Sequence, residues 1–371
     1  MSRDYEVEVL TQVDAIRSVA EAWDGLADRF GNPLLGANWF LACAETLCSE
    51  QDLRVVVVRS PGALHAVAPL VVVRRDGVKR LELLGAAALY EPTGFLYDNI
   101  ETLHCLVHKI VGLRLPIMLA RIDRTEPVER VFKDLARGKG IVIGRKAASA
   151  AFIASKGSWQ DYVQSISSQR RHDYQRKRKR AEKGGPVAVR IECPHSQTEL
   201  PSLLDEVFRI EGAGWKGRSG SALRSNVRVR KFMERYSAMA CESGTLRACF
   251  LDVGGVPIAT ILGIEKARRF WVLKIGYDER WARCSPGVQL TMETIKYVFE
   301  QGLDGYEFLG SEEPWQAMWP HDRRLLISLT MYPISPGGLW AIAADFRRLV
   351  LRRSRYVLST SPSKKRSHGS E

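Results

Sequence analysis

Tyr277-Asp278-Glu279-Arg280-Trp281-Ala282-Arg283-Cys284-Ser285-Pro286-Gly287-Val288 joins a β-rich run, Phe270–Ile275, to a helical run that ends near Gln301 and Gly302. A strand, a short loop and a helix in that order is how α/β proteins hold phosphate. The first helical N–H groups have no internal partner and lie at the positive end of the helix dipole. Pro286 suits a helix start because it has no N–H to leave unpaired. Gly287 allows a phosphate close to the backbone, and Ser285 can cap the helix or donate its hydroxyl. Ordinary capping accounts for the same three residues, so spacing alone leaves both readings open. A second Ser335-Pro336-Gly337 also precedes a helix. A sheet that opens around a ligand needs a further strand after the helix. The first junction has one at Tyr306–Leu309, whereas the second leads only to a basic tail and reads as a plain helix start.

Working outward, both halves read as mixed α/β. In the first half, strands are predicted over Val7–Leu10, Leu53–Arg59, Leu64–Val73, Leu81–Leu84 and Pro116–Ile122. A helix is predicted over Val13–Leu26, with others from Asn38 to about Cys48, over Leu103–Val111 and over Val128–Ala136. The stretch 144–160 is expected to cross between domains, followed by one polar helix through the basic run to Gly184-Gly185-Pro186. In the second half, Leu200–Ile210 and Phe232–Ala240 have helical spacing. Thr245–Val253, Val256–Glu265, Phe270–Ile275, Tyr306–Leu309 and Leu325–Tyr332 read as strands, with a last helix near Leu339–Val350. Leu53-Arg54, Gly62 and Ala66 match Leu246-Arg247, Gly255 and Ala259 at one offset of 193, each set in a strand–Gly turn–strand hairpin. That points to a tandem fold. The domains expected are 1–150, 151–340, and a C-terminal helix and basic tail over 341–371.

The chain of 371 residues is long enough for two cores. Its seven cysteines (43, 48, 105, 193, 241, 249, 284) contain no Cys-x-x-Cys pair. This argues against a disulfide framework or structural zinc and for a reducing, cytoplasmic setting. No metal is expected; His104 and His108 stand at i,i+4 without a third ligand. Cys284 has no histidine paired with it in sequence. The net charge is +13, and its location matters more than its size. Residues 168–183 hold eight Lys/Arg against Asp173 and Glu182, and residues 346–371 hold eight against Glu371. These two segments account for the whole excess, which excludes a chain basic all over such as a nucleic-acid coat. DNA is not an expected partner.

Trp215-Lys216-Gly217-Arg218-Ser219-Gly220-Ser221-Ala222-Leu223, Val272-Leu273-Lys274-Ile275-Gly276-Tyr277-Asp278, Ser285-Pro286-Gly287 and Tyr306-Glu307-Phe308-Leu309-Gly310 together resemble a known family. It is the GNAT-type acetyltransferase (BioF2-like) family associated with bacterial cellulose and polysaccharide biosynthesis, a branch related to the Fem-type peptidoglycan aminoacyltransferases. Trp23, Asn38-Trp39, Val67-Ala68-Pro69-Leu70 and Gly85 before a Tyr-containing loop extend the likeness to the first half. The resemblance implies an α/β, mixed-sheet (α+β) architecture of two tandem GNAT domains. It implies an acyl-CoA donor, acetyl-CoA or another, held in the second domain by Lys274, Ser285, Pro286, Gly287 and Val288.

It also implies direct transfer to an amine, small or glycan-linked, in polysaccharide or cell-envelope metabolism. Such transfer needs a base, groups that polarise the thioester carbonyl, and an acid for the leaving thiolate. The candidates are Glu307 and Asp278 as carboxylates and Tyr277 as acid, with Glu279, Glu312, Glu313 and Tyr306 nearby. Trp215, Lys216, Arg218 and Trp315 are expected at the acceptor. Trp315-Gln316 departs from the aromatic–Lys pair common in Fem-type relatives, which removes a cation able to hold a phosphate or carbonyl.

Two alternatives stand beside the acyl-CoA enzyme. One is an aminoacyl-tRNA-dependent Fem-like transferase holding RNA phosphates on the basic helix at 170–183. The other is a non-catalytic scaffold docking through the basic tail. The first domain is expected not to bind CoA, because Tyr97-Asp98-Asn99-Ile100 precedes its helix without a glycine. The tail helix is expected to dock on the body through Leu339, Ile342, Phe346 and Leu349, with peripheral membrane contact as the other outcome.

Overall fold

A computed structural model describes residues 5–194, 196–214 and 226–360, with 352–360 as helical backbone. Two mixed sheets carry the fold. The first runs β1 (Glu6–Leu10), β2 (Leu53–Ser60), β3 (Ala63–Arg75), β4 (Val78–Leu83), β6 (Ile117–Asp123), β15 (Leu326–Pro333), β7 (Gly140–Lys146), with β5 (Leu96–Tyr97) on β3. The second runs β14 (Asp322–Arg324), β8 (Ala150–Ala154), β13 (Gly305–Leu309), β12 (Arg269–Tyr277), β11 (Val256–Lys266), β10 (Leu246–Val253), β9 (Val187–Glu192).

The hinted duplication is present residue by residue. All eight pairs of the β2–β3 hairpin recur in β10–β11 at the offset of 193. Leu53↔Val71 becomes Leu246↔Ile264, and the irregularity after Val58 recurs after Leu251. The parallel pairs repeat at an offset of 188, with Leu81↔Ile117 becoming Arg269↔Gly305. Even a strained position repeats: Arg121 and Leu309, equivalent at that offset, both have positive φ, which costs a residue other than glycine energy that its surroundings must supply.

Sequence order and sheet membership diverge at the ends. β8 pairs with β13 in the second sheet, while β15 pairs with β6 and β7 in the first. The chain passes from one sheet to the other at residues 147–149, inside the stretch expected to cross, and returns at Leu325. Leu326, which falls within 151–340, thus opens a strand of the first sheet. The two passages lie side by side, Ala147 N donating to Leu326 O at 2.9 Å and Arg124 N to Leu325 O at 3.0 Å. Unrecognised in the sequence were β5, β7, β8, β9 and β14. Each is short, so each lacks the long apolar run that marks a central strand.

Helices pack on both faces of each sheet. The expected Val13–Leu26 helix is two, Val13–Ser18 and Ala20–Ala27, broken at Val19. The basic helix is likewise two, Trp159–Ser165 and Ser168–Glu182. Trp39, from the first half, is buried against Phe232 and Tyr236 of the second. One apolar cluster therefore runs through both halves. Among the described residues no helix is long and apolar enough to cross a membrane.

Candidate functional site

β12 and β13 run parallel and pair only over Arg269–Trp271 and Gly305–Glu307. Beyond that they separate. Against β11, Leu273 is an extra residue, since Leu262 faces Lys274 while the next residue, Gly263, faces Val272. Such a bulge bends its strand and re-aims the side chains beyond it. Ile275 and Tyr277 consequently pack with the cluster under the Pro286–Glu300 helix, whereas Trp271 and Leu309 pack on the other face of the sheet. The gap between the strands leads to a cavity of about 260 Å³ lined by Glu211, Gly214, Ile275, Tyr277, Gly287 and Trp315, among others.

The helix that starts at Pro286 opens into this cavity. Ser285 precedes it in the left-handed conformation (φ 47°) and makes no side-chain cap. Two other helix starts provide the contrast. In the first half, the helix Ile100–Gly112 begins at Asn99, whose Oδ1 accepts from Glu101 N at 2.9 Å and Thr102 N at 3.0 Å. In the tail, Ser335 Oγ accepts from Gly338 N at 3.1 Å. Both of those first turns are closed by their own side chains. The Pro286 turn has no such cap, which leaves its first N–H groups without a capping side chain.

The expected site residues divide into three groups. Tyr277, Ser285, Gly287, Val288 and Trp315 line the cavity together, and Pro286 is buried behind them. Trp315 Nε1 donates to Glu313 Oε2 at 2.7 Å. Lys274 lies on β12 at the mouth of the gap. Trp215, Lys216 and Arg218 lie outside the described residues.

Two carboxylates require correction. Asp278 is buried and accepts from Arg280 N at 3.0 Å and from the Arg280 guanidinium at 2.5 Å. Arg280 holds its carboxyl below the usual range, so Asp278 closes the loop before the helix instead of acting as a base. Glu307 is buried on the far face of β13. Arg269 Nε reaches it at 2.8 Å and Arg324 Nη2 at 2.5 Å. Two guanidiniums engage its lone pairs, and it serves as a structural anion. Tyr306, an alternative acid, is fully buried and hydrogen-bonded to Thr294 at 3.0 Å. Burial pushes the Cys284 thiol up, away from the nucleophilic thiolate. Gln316 is buried and its Oε1 accepts from Glu313 N at 2.8 Å, so the position that departs from the Fem-type pattern has a structural task.

A carboxylate not singled out in the sequence reaches the gap from the first half. Glu91 Oε2 accepts from Gly310 N at 2.7 Å, one residue past the end of β13. Burial raises its pKa, and Gly310, Lys274 and Arg121 only partly offset this. Arg121 fixes the same junction by donating to Tyr90 O and Gly310 O. The signal available in the sequence was the loop after Gly85, part of the family likeness, but nothing there indicates that the loop crosses to the other half. On the far face of β13, a second cavity of about 380 Å³ lies between the halves. Thr93, Arg121, Glu307, Leu309 and Arg324 are among its lining residues. Glu91 stands beside Arg121 and Gly310, next in sequence to Pro92 and Thr93 of that cavity's lining.

Residues 168–317 match the family model described as an acetyltransferase (GNAT) domain, and the repeated sheet makes the chain two GNAT-like domains in tandem. Three solved structures share the fold over most of the chain. One is the C-terminal domain (DUF2156) of a candidate lysylphosphatidylglycerol synthetase from Agrobacterium fabrum, with 11% identity, 90% of this chain and 95% of that chain covered, and a TM-score of 0.56. Another is L-PGS from Bacillus licheniformis, with 12% identity, 88% and 96% covered, and a TM-score of 0.54. A third is FemX, with 12% identity, 79% and 90% covered, and a TM-score of 0.54. No curated protein sequence matches the chain.

Proposed function

We propose that the protein is an acyl-CoA-dependent N-acyltransferase that transfers its acyl group, acetyl in the simplest case, directly to an amine. The uncapped Pro286 turn, open to the cavity between diverging strands, carries the reading. Its backbone N–H groups hold the coenzyme pyrophosphate, and Gly287 and Val288 line the path. The acyl thioester enters the gap beside Lys274. The acceptor amine approaches through the cavity between the halves. Glu91 takes a proton from the ammonium, and the free amine then attacks the thioester carbonyl. A C–N bond forms and the C–S bond breaks; Tyr277 gives its proton to the leaving thiolate and is reprotonated by the second proton that the nitrogen sheds on becoming an amide. A carboxyl with a raised pKa suits this task near neutral pH. Calorimetric titration with acetyl-CoA tests the reading: binding is expected, and loss of every acyl-CoA response would refute it.

A second reading, an aminoacyl-tRNA donor, rests on one observation. The basic helix Ser168–Glu182 packs on the loop before Pro286, with Arg180 Nη1 donating to Arg283 O at 3.0 Å. A polyanion strand on that helix would pass beside the phosphate turn. A rise in melting temperature with aminoacyl-tRNA and not with acetyl-CoA would select it. An acceptor in polysaccharide or cell-envelope metabolism fits either donor.

A further inference from the structure

The Pro336–Thr360 helix lies on the first sheet but turns the wrong side inward to bury its own apolar residues. Ala341 packs with Val78 and Tyr332. Asp345 accepts from Arg80 Nη1 at 2.6 Å and from Tyr332 OH at 2.8 Å, and Arg348 pairs with Asp76. The stripe expected to dock points the other way. Leu339 is 69% exposed, Phe346 66%, Leu349 53% and Ile342 37%. Ile334, just before the helix, and Ile141, on the edge strand β7, are also exposed. The expectation of docking through that stripe is thus reversed. The pairs of Asp345 with buried Arg80 and of Arg348 with Asp76, together with buried Ala341, hold the helix, and Leu339, Phe346 and Leu349 are left exposed.

Charge identifies what covers that face. Asp345 is the only acidic residue of 336–360, and it is turned inward against a buried arginine. Residues 346–371 carry eight Lys/Arg against Glu371. A face with Leu339, Phe346 and Leu349 along it and Arg347 exposed beside it, in a Lys/Arg-rich stretch of sequence and a helix too polar to span, has the character of an interfacial helix. Arginine stems can lie along apolar surface while their heads reach phosphate. A second copy of the chain would bring the same positive charge and be repelled.

We infer that this helix is a docking surface for a bilayer containing anionic phospholipid, independent of which acyl donor the protein uses. Flotation of the full chain with phosphatidylcholine vesicles, with and without phosphatidylglycerol, tests it. The chain is expected to float only with the anionic lipid and to be released by salt. Phe346→Ser with Leu349→Ser is expected to lower binding by about tenfold or more without lowering the melting temperature, because both side chains are exposed. Lys364→Gln with Lys365→Gln and Arg366→Gln leaves the helix untouched and is expected to shift release to lower salt. Equal flotation with neutral vesicles, wild-type binding by the double serine chain, or an unshifted release would overturn the inference. So would a dimer in sedimentation that the double serine change dissociates, which would make a second copy the occupant.

Discussion

Gly287→Glu tests the phosphate turn at its centre. A Cβ at 287 meets Tyr277 Cδ1 at 3.4 Å and Ile275 Cδ1 at 3.7 Å, both ordinary contacts. The fold therefore accepts a branch there, and alanine should be tolerated; the carboxylate is what is incompatible with the ligand. At about 4 Å from a phosphate charge, with an effective dielectric near 20, it repels by about 4 kcal/mol. That is roughly a thousandfold in Kd. The same carboxylate lies at the positive end of the helix, where it stabilises by about 0.3–1 kcal/mol, so the variant should melt no lower than wild type. Calorimetric titration with acetyl-CoA reads the outcome. Ser285→Ala removes at most one hydroxyl bond, about 0.5–1.5 kcal/mol, and should cost about tenfold or less. Gly337→Glu, at the start closed by Ser335, should change nothing. Acetyl-CoA affinity within about threefold of wild type for Gly287→Glu would refute the assignment of the phosphate turn.

Glu91→Gln keeps an acceptor for Gly310 N and should lower kcat by about 10²–10⁴ with acetyl-CoA affinity unchanged in titration. In wild type the rate should rise with pH through the raised Glu91 pKa, so the acid limb of the pH–rate profile should lie above the ordinary carboxylate range. A group whose folded pKa is raised contributes stability that is fully present below its unfolded pKa and lost as pH rises through the folded one. Melting curves of Glu91→Gln should therefore lack that loss. Asn99→Ala opens the first-half helix and should cost about 0.5–2 kcal/mol of stability in denaturant melts without creating a second acetyl-CoA site in titration. Glu307→Ala leaves two guanidiniums facing each other and should cost about 3–5 kcal/mol. The folded fraction should retain its kcat, and a full loss of kcat in folded protein would restore Glu307 as a base.

Much of the fold was legible because central strands announce themselves. Leu53–Ser60 and Leu246–Val253 are apolar on both faces, and a glycine turn follows each, so the hairpin and its repeat could be read from composition and spacing. The site was legible where it depends on local backbone, at Ser285-Pro286-Gly287. It was not legible where it depends on long-range pairing. Glu307 looks like a free carboxylate in sequence because Arg269 and Arg324 meet it only in the fold, whereas Arg280, two residues from Asp278, was a local signal left unread. Glu91 looks like a loop residue because its partner Gly310 is 219 positions away. The tail helix shows the same limit. Its apolar stripe was correct as a pattern, but Asp345 meeting Arg80 and Tyr332, and Arg348 meeting Asp76, hold the opposite face inward.

The duplication and the strand exchange together explain why only one half keeps an open turn. Both sheets inherit a parallel pair whose second strand is irregular against its antiparallel neighbour, with Arg121 and Leu309 at equivalent strained positions. In the first half Asn99 fills the helix start, and the preceding loop is free to do something else. It carries Tyr90 and Glu91 to the end of β13, where Arg121 from the first sheet bonds the backbone of both halves. That approach requires the sheets to be held in fixed register. β15 supplies this, because the first sheet cannot be completed without a strand that follows the whole second sheet in sequence. Cutting the chain near residue 150 would leave β6 and β7 without β15, and would leave the second half with β15 unpaired and its side of the shared apolar cluster uncovered. On this argument neither half should fold alone. The base and the phosphate turn, contributed by different halves, belong to one cooperative unit, and separate expression of the halves should yield no acetyl-CoA binding in either.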